Sequence, residues 1–218
     1  MIIDAIVLAG GRSSRLSGRP KSALLYQGAT LLDRTVQAAI DAGSRSIVVV
    51  GTARPTLAGS AADGGRIVLT REDPPFGGPA AGIGAGMAVL DGAKTEPGTV
   101  VLVLACDLPE VGAALAPVLA ALPLADGIDG VVLADYAGIH QPLTAAYDRA
   151  ALASSLESRR RHAPLDGLSM RALIGDLRLR PVQATAGAAD DIDTWTDAAK
   201  HGMSVPPEFA STNVWEES

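Results

Sequence analysis

Residues 8–21 combine glycines with positive charge in a pattern that suits phosphate binding. The segment, LAGGRSSRLSGRPK, contains three glycines, two of them adjacent, and follows an apolar run at residues 2–8. Its cationic side chains are Arg12, Arg15, Arg19 and Lys21. Glycines let backbone N–H groups approach an anion closely, and concave arrays of such groups bind phosphate. This glycine–arginine loop predicts a phosphate site at the end of a buried strand. The alternative is a surface loop with ordinary solubilising charges.

A second stretch, residues 72–82, combines prolines and glycines with two carboxylates. Its sequence is EDPPFGGPAAG, and we call it the glycine–proline loop. Prolines restrict the path of the backbone, and glycines let a flat ligand lie against it. A nearby carboxylate can accept two hydrogen bonds from the edge of a guanine base. We predict that Asp73 supplies this carboxylate, with Glu72 as the second choice. The alternative for the whole stretch is a tight surface turn.

Two further carboxylates are candidate metal ligands. Asp107 follows an apolar strand predicted at residues 100–104. In open α/β sheets ligands bind beyond the carboxyl ends of the strands, and carboxylate oxygens there suit Mg²⁺ that is shared with phosphates. Asp193, in the late acidic segment 190–193, is the second candidate ligand. For each aspartate the alternative is a helix cap. Cys106 is expected to be a small buried side chain rather than a nucleophile.

The elements that must position these residues alternate between strand and helix. Apolar runs predict strands at residues 2–8, 46–50, 67–70, 100–104 and 130–134, and the continued alternation of helix and strand predicts another at 169–173. Helical spacing and helix end signals predict helices at residues 32–40, 79–90, 112–122 and 148–156. Thr30 is the expected N-cap of the first helix, and Gly43 its stop. The strands are continuously apolar, as in parallel sheets covered on both faces. The pattern predicts an α/β fold with a doubly wound, mostly parallel sheet and helices on both faces.

Composition narrows the class of protein. The 218 residues fit one domain, predicted at residues 1–202, followed by a loosely ordered tail at 203–218. A net charge of −6 argues against general nucleic-acid binding, which requires a basic surface. One cysteine excludes an internal disulfide and fits a reducing compartment. The first residues lack the features of a signal peptide or a membrane span, so we expect a cytoplasmic location.

Three of these motifs together resemble the signature of nucleotidyltransferases, in particular the molybdenum cofactor guanylyltransferase group. They are Leu-Ala-Gly-Gly with the later Pro-Lys, the Gly-Pro-x-Ala-Gly core of the glycine–proline loop, and Cys-Asp-x-Pro at residues 106–109. The resemblance implies nucleotide contacts from Leu8, Ala9, Gly10, Gly11, Arg12, Ser13, Lys21, Asp73, Gly78 and Gly82. It implies catalytic roles for Arg15, Lys21 and Asp107, and Mg²⁺ held by Asp107 and Asp193.

The resemblance also implies a reaction, in which an acceptor phosphate oxygen attacks the α-phosphorus of GTP and pyrophosphate leaves. The implied acceptor is the phosphate of molybdenum-bound pterin, with client molybdoenzymes or their chaperones as further partners. Two features are closer to cytidylyltransferases: Pro20-Lys21, where most guanylyltransferases have Asp-Lys, and the sequence DIDT at residues 191–194. A cytidylyltransferase, or another nucleotidyltransferase that acts on a phosphorylated small molecule, therefore stays open. So does a non-catalytic nucleotide-binding carrier or sensor.

Overall fold

The computed structural model describes residues 1–10, 21–58, 64–92 and 96–205, and these residues form a seven-stranded sheet. Along the chain its strands are β1 (Ile2–Leu8), β4 (Ile47–Val50), β5 (Ile67–Thr70), β6 (Thr99–Ala105), β7 (Gly130–Ala134), β8 (His140–Asp148) and β9 (Leu179–Gln183). Between β1 and β4, a short hairpin consists of β2 (Leu25–Tyr26) and β3 (Ala29–Thr30). The strand order in the sheet is β5-β4-β1-β6-β8-β7-β9.

The pairing is parallel except at β8. Within the described residues, β8 runs antiparallel to both of its neighbours, β6 and β7. The central pair β1 and β6 is in register from Ile2 with Thr99 to Leu8 with Ala105. The carboxyl ends of β1 and β6 therefore lie side by side, which brings the segments that follow them to one edge of the sheet.

The described residues contain six α-helices: α1 (Leu31–Asp41), α2 (Pro79–Leu90), α3 (Val111–Ala120), α4 (Arg149–Arg160), α5 (Met170–Leu173) and α6 (Trp195–Lys200). One face of the sheet packs against α1 and α3, and the other against α2, α4 and α5. Successive residues of β1 contribute to the two cores in turn, since Val7 joins the first and Ile6 the second. Helices on both faces confirm the predicted α/β class.

Helix α2 lies unusually close to β1 because glycines face the strand. A Cβ atom on Gly86 would come within 2.8 Å of Ile6, and one on Gly82 within 3.0 Å of Leu8. Glycine at these positions therefore allows the helix to approach the sheet. The first turn of α2, residues 79–82, is the last part of the glycine–proline loop, so this packing holds the loop beside the end of β1.

Some local predictions need correction. Residues 67–70 form a parallel strand as predicted, but it lies at the edge of the sheet, where Val68 is 37% and Leu69 38% exposed. The antiparallel β8 was not among the predicted strands, and residues 170–173, predicted as part of a strand, form helix α5. Of the predicted tail at residues 203–218, the structure describes the first three residues. There Met203 is buried and Ser204 pairs with Leu25 in an isolated antiparallel bridge.

A buried ion-pair network lies toward the amino-terminal ends of β1 and β4, away from the carboxyl ends of the strands. The Asp4 carboxylate is fully buried and accepts hydrogen bonds from Arg45 (2.8 Å) and Arg149 (3.3 Å). Arg149 also donates to the Leu90 carbonyl oxygen. The buried charges of Asp4 and Arg149 are therefore paired with each other. Through Arg149 the network connects the end of α2 and the start of α4 to β1. No helix in the described part of the chain is long and apolar enough to cross a lipid bilayer.

Candidate active site

A cavity of about 430 Å³ opens at the carboxyl ends of β1, β4 and β6. It is lined by Leu8, Ala9, Gly10, Lys21, Ser22, Val50, Glu72, Phe76, Gly78, Pro79, Gly82, Ala105, Cys106, Asp107 and Leu143. Its position is the one expected for ligands in open α/β sheets. The cavity brings together residues of the glycine–arginine loop, the glycine–proline loop and the segment after β6.

The wall formed by β1 depends on close backbone contacts. The Ala9 N–H donates to the Val50 carbonyl oxygen at 2.8 Å. Gly51 follows with a φ of 137°, and a Cβ there would lie 2.9 Å from the backbone nitrogen of Gly10. From the sequence Gly51 was predicted only as the end of a strand, although a glycine directly after a β-branched run can also indicate a close backbone contact. The predicted ligands Gly11, Arg12, Ser13 and Arg15 lie outside the described residues.

A cluster of charge lies at the end of the cavity formed by Lys21 and Asp107. The Lys21 ammonium donates a hydrogen bond to the Asp193 carboxylate, across 172 residues of sequence. The Ile192 N–H donates to the Asp107 carbonyl oxygen at 2.9 Å, which holds the late acidic segment against the segment after β6. We call Asp107, Asp191 and Asp193 the carboxylate cluster. The structure thus brings together Lys21, Asp107 and Asp193, as a shared phosphate and metal site requires.

The ionisation of this cluster reflects its partial burial. The pKa of Asp107 is raised to about 6, chiefly by burial; Lys21 lowers it, and the Asp191 and Asp193 carboxylates raise it. Burial and the neighbouring Asp193 also raise the pKa of Asp191. Removal from water and like charges both disfavour ionised carboxylates. The cluster therefore carries negative charge that a cation would stabilise.

The cap alternative does not describe these aspartates. Helix α3 begins after Glu110, three residues beyond Asp107, and its N-cap makes no side-chain hydrogen bond. Helix α6 has Thr194 as its N-cap, and Asp197 completes a reciprocal capping box. Asp193 precedes that cap and pairs with Lys21 instead.

The donor set of the cluster fits a hard divalent cation. In the described residues, the histidines, cysteines and carboxylates form no preassembled group of three or more that could hold a metal. Mg²⁺ needs less from the protein, because it commonly takes one or two carboxylates and completes its shell with water and substrate phosphates. Asp107 and Asp193 are suitable residues for such a shared site.

The glycine–proline loop places Glu72, and not Asp73, in the cavity wall. One Glu72 oxygen accepts a hydrogen bond from the Phe76 N–H at 3.1 Å and lies 3.8 Å from a Cβ built on Gly10. Asp73 is exposed and is not part of the lining. Gly78 has a φ of 87° and precedes Pro79, the first residue of α2. The conformation at Gly78 is one that glycine adopts readily, so the sharp turn into the helix depends on it.

The loop between α4 and α5 supports the glycine–proline loop from outside. The Gly167 N–H donates to the Gly77 carbonyl oxygen at 2.8 Å. A Cβ on Gly77 would lie 2.9 Å from both Asp166 Oδ1 and the Ala81 side chain. Residues 166 and 167 were not predicted to be part of the site, because their proximity to Gly77 arises from packing between distant segments.

A second support holds the segment after Asp107. The Arg34 Nε–H donates to the Pro109 carbonyl oxygen at 2.8 Å, and the Tyr26 hydroxyl donates to Glu110 at 2.7 Å. The Arg34 guanidinium also lies over the Tyr26 ring, 4.8 Å from its centroid. These contacts connect the hairpin that follows Lys21 to the segment that carries Asp107. They were not predicted, since no local pattern marks them.

Comparison with known proteins identifies the family. The model of the MobA-like NTP transferase domain matches residues 5–179. The chain belongs to this family. It therefore contains a nucleotidyltransferase domain, as the resemblance implied. No significant match was found among curated protein sequences.

Solved structures share the fold across nearly the whole chain. The 2-C-methyl-D-erythritol 4-phosphate cytidylyltransferase of Francisella tularensis is 16% identical, with a TM-score of 0.68, and the match covers 93% of this chain and 99% of that one. Molybdopterin-guanine dinucleotide biosynthesis protein A of Archaeoglobus fulgidus is 19% identical, with a TM-score of 0.56 and coverages of 91% and 96%. Rv0371c of Mycobacterium tuberculosis, solved in complex with manganese, is 21% identical, with a TM-score of 0.61 and coverages of 92% and 97%. These similarities establish the common fold.

Proposed function

We propose that this nucleotidyltransferase transfers GMP from GTP to the phosphate of molybdenum-bound pterin and releases pyrophosphate. The observation that carries the proposal is a single cavity that contains both Glu72, at the start of the glycine–proline loop, and the charged groups Lys21 and Asp107. A base would lie against Gly78 and Pro79, and the triphosphate would extend toward Lys21. The identity of the acceptor rests on the motif resemblance.

Base selection is assigned to Glu72. The sequence alone favours Asp73, but Glu72 is the carboxylate in the cavity wall, and its hydrogen bond with the Phe76 N–H fixes its orientation. A carboxylate can accept from both the N1–H and the exocyclic amine of guanine. When cytosine or adenine enters, those hydrogen bonds are lost and buried polar groups stay unpaired, which is costly.

The chemical step needs alignment and charge neutralisation more than proton transfer. Lys21 would release part of its contact with Asp193 and bind phosphate oxygens. Asp107 and Asp193 would hold Mg²⁺, which supplies positive charge to offset the triphosphate and the leaving pyrophosphate. The acceptor phosphate is already ionised near neutral pH and requires no general base. The orientation of the two phosphates and electrostatic stabilisation then provide most of the catalysis.

Cys106 takes no covalent part in this scheme. Its side chain is buried, and burial raises the pKa of the thiol to about 12, so the reactive thiolate is scarce at neutral pH. Direct transfer between GTP and the acceptor is therefore the proposed route. Client molybdoenzymes or their chaperones are the proposed recipients of the product, and the cytoplasm stays the expected location on the sequence arguments alone.

The decisive experiment presents the protein with Mg²⁺, molybdenum-bound pterin and each of GTP, CTP and ATP in turn. Pyrophosphate release gives the rate, and mass spectrometry identifies the nucleotide joined to the acceptor. We expect GTP to be preferred. The preference should narrow on the order of 10- to 100-fold in Glu72→Ala, since the lost contacts are selective for guanine. Asp73→Ala, one residue away and exposed, is the matched control and should behave like the unmodified protein.

Other outcomes favour the alternatives. Comparable or faster turnover with CTP would favour the cytidylyl reaction, to which residues 20–21 and 191–194 are similar. Tight triphosphate binding without pyrophosphate release, with any acceptor, would favour a carrier or sensor. A base preference that persists in Glu72→Ala would mean that the base is recognised elsewhere.

A further inference from the structure

Ser22 is a buried hydroxyl in the cavity wall with no partner in the described structure. It belongs to a single 3₁₀ turn, Lys21–Ala23, and is 5% exposed. No hydrogen-bonding partner of its Oγ occurs in the structure as described. The residue lines the same cavity as Lys21, Cys106 and Asp107. None of the motifs discussed above assigns it a role.

A buried hydroxyl without a hydrogen bond is unfavourable. Native proteins pair the large majority of their buried polar atoms, and each exception requires an explanation, such as a water or ion that the group binds. An alanine would occupy nearly the same space at Ser22 without that cost. The adjacent carboxylates of the cavity are acceptors, yet none of them receives the Ser22 hydroxyl. A bound ligand with acceptor oxygens would satisfy it.

Ser44 offers an internal comparison. It is the other serine in the described residues whose buried Oγ has no partner, and it is 2% exposed. It lies between α1 and β4, where the neighbouring Arg45 N–H bonds to Ile3 at the start of β1. Ser44 is not part of the cavity lining. The two serines thus share burial and lack of a partner, and they differ in their distance from the site.

We propose that the Ser22 hydroxyl donates a hydrogen bond to a non-bridging phosphate oxygen of the bound triphosphate, beside Lys21. This inference rests on the proposed triphosphate site. Phosphate oxygens are anionic acceptors, so a hydroxyl and an ammonium from consecutive residues would both donate to them. Hydrogen bonds to a charged acceptor are stronger than those between neutral groups. Ser22 is then a phosphate-binding residue whose hydrogen bond forms when the ligand enters.

The test compares Ser22→Ala, Ser22→Cys and Ser44→Ala with the unmodified protein. Calorimetry with Mg²⁺ measures the affinity for GTP and, separately, for inorganic tripolyphosphate, which carries no base or ribose. Thermal unfolding without ligand measures stability. We expect Ser22→Ala to bind both ligands about tenfold more weakly and to unfold at the same or a higher temperature. Ser22→Cys, with a weak S–H donor of similar size, should also bind weakly. Ser44→Ala should keep the affinities of the unmodified protein.

Three results would overturn the inference. Unchanged affinity of Ser22→Ala for both ligands would mean that the hydroxyl does not contact phosphate. Weaker binding of GTP with unchanged binding of tripolyphosphate would place the contact on the nucleoside. A clear loss of ligand-free stability in Ser22→Ala would reveal a partner within the protein. Failure of the proposed GTP reaction is a separate result. If the unmodified protein prefers CTP, the GTP reaction is contradicted, but a tenfold weaker binding of tripolyphosphate by Ser22→Ala would still support the contact between Ser22 and phosphate.

Discussion

Replacing Asp107 with asparagine should change stability and activity in opposite directions. Burial raises the pKa of this carboxyl from 3.8 to about 6, so the folded protein disfavours its ionised form. Each pKa unit corresponds to about 1.36 kcal/mol, which puts the cost of ionisation in the fold at no more than about 3 kcal/mol. Asp107 is partly exposed, and solvent screening lowers the expected cost to about 1–3 kcal/mol.

The sign follows from proton binding in the two states. Between pH 4 and 6 the folded protein holds a proton on Asp107 more often than the unfolded chain does. The contribution of Asp107 to the free energy of unfolding therefore increases as the pH falls from about 7 to about 4. Asp107→Asn lacks this contribution. Without metal at pH 7 it should be more stable by about 1–3 kcal/mol, or about 2–12 °C in melting temperature for a chain of this size.

Activity should fall in the same variant. Asparagine removes a ligand charge from the proposed Mg²⁺ site, and a loss of about 3 kcal/mol in transition-state stabilisation lowers the rate roughly a hundredfold. Thermal unfolding from pH 4 to 7.5 in the presence of a chelator, together with pyrophosphate release in Mg²⁺, tests both effects. Asp73→Asn, at an exposed neighbouring loop position, is the control and should change neither.

Two outcomes would refute this reasoning. If Asp107→Asn is less stable than the unmodified protein at pH 7, or its stability difference does not depend on pH, then the carboxyl is not held against ionisation. If the variant keeps full activity, Asp107 does not hold the catalytic metal.

The remaining predictions concern the two sides of the carboxylate cluster. Lys21→Ala should weaken triphosphate binding at least tenfold and reduce the salt dependence of that binding. The free energy of unfolding should fall by about 1 kcal/mol or less, because the ion pair of Lys21 with Asp193 is partly solvated. Titrations with triphosphate at two salt concentrations measure the affinity, and an unchanged affinity would contradict the phosphate role. Tyr26→Phe removes the hydrogen bond to Glu110 and keeps the ring, so kcat should fall several-fold with little change in the KM for triphosphate. Rates equal to those of the unmodified protein would mean that this hydrogen bond does not position Asp107.

Several elements were determined by local sequence alone. The structure places strands at Ile2–Leu8 and Gly130–Ala134 and a helix at Pro79–Leu90, as the apolar runs and helix end signals predict. Thr30 caps α1, and Gly43 follows that helix with a φ of 77°. These features depend on residues within a few positions of one another. Continuous apolar strands joined by helices also dictate a parallel sheet, so the fold class followed from the same information.

Tertiary structure decided which chemically similar neighbour enters the site. Glu72 and Asp73 are adjacent carboxylates, and only the packing of the glycine–proline loop against Gly10 and the α4–α5 loop separates the wall residue from the exposed one. The pairing of Lys21 with Asp193 joins two segments that lie 172 residues apart in the sequence. Such contacts form because segments far apart in sequence pack together and bury surface. The residue periodicity of one segment predicts its own secondary structure, but it does not predict which other segment packs against it.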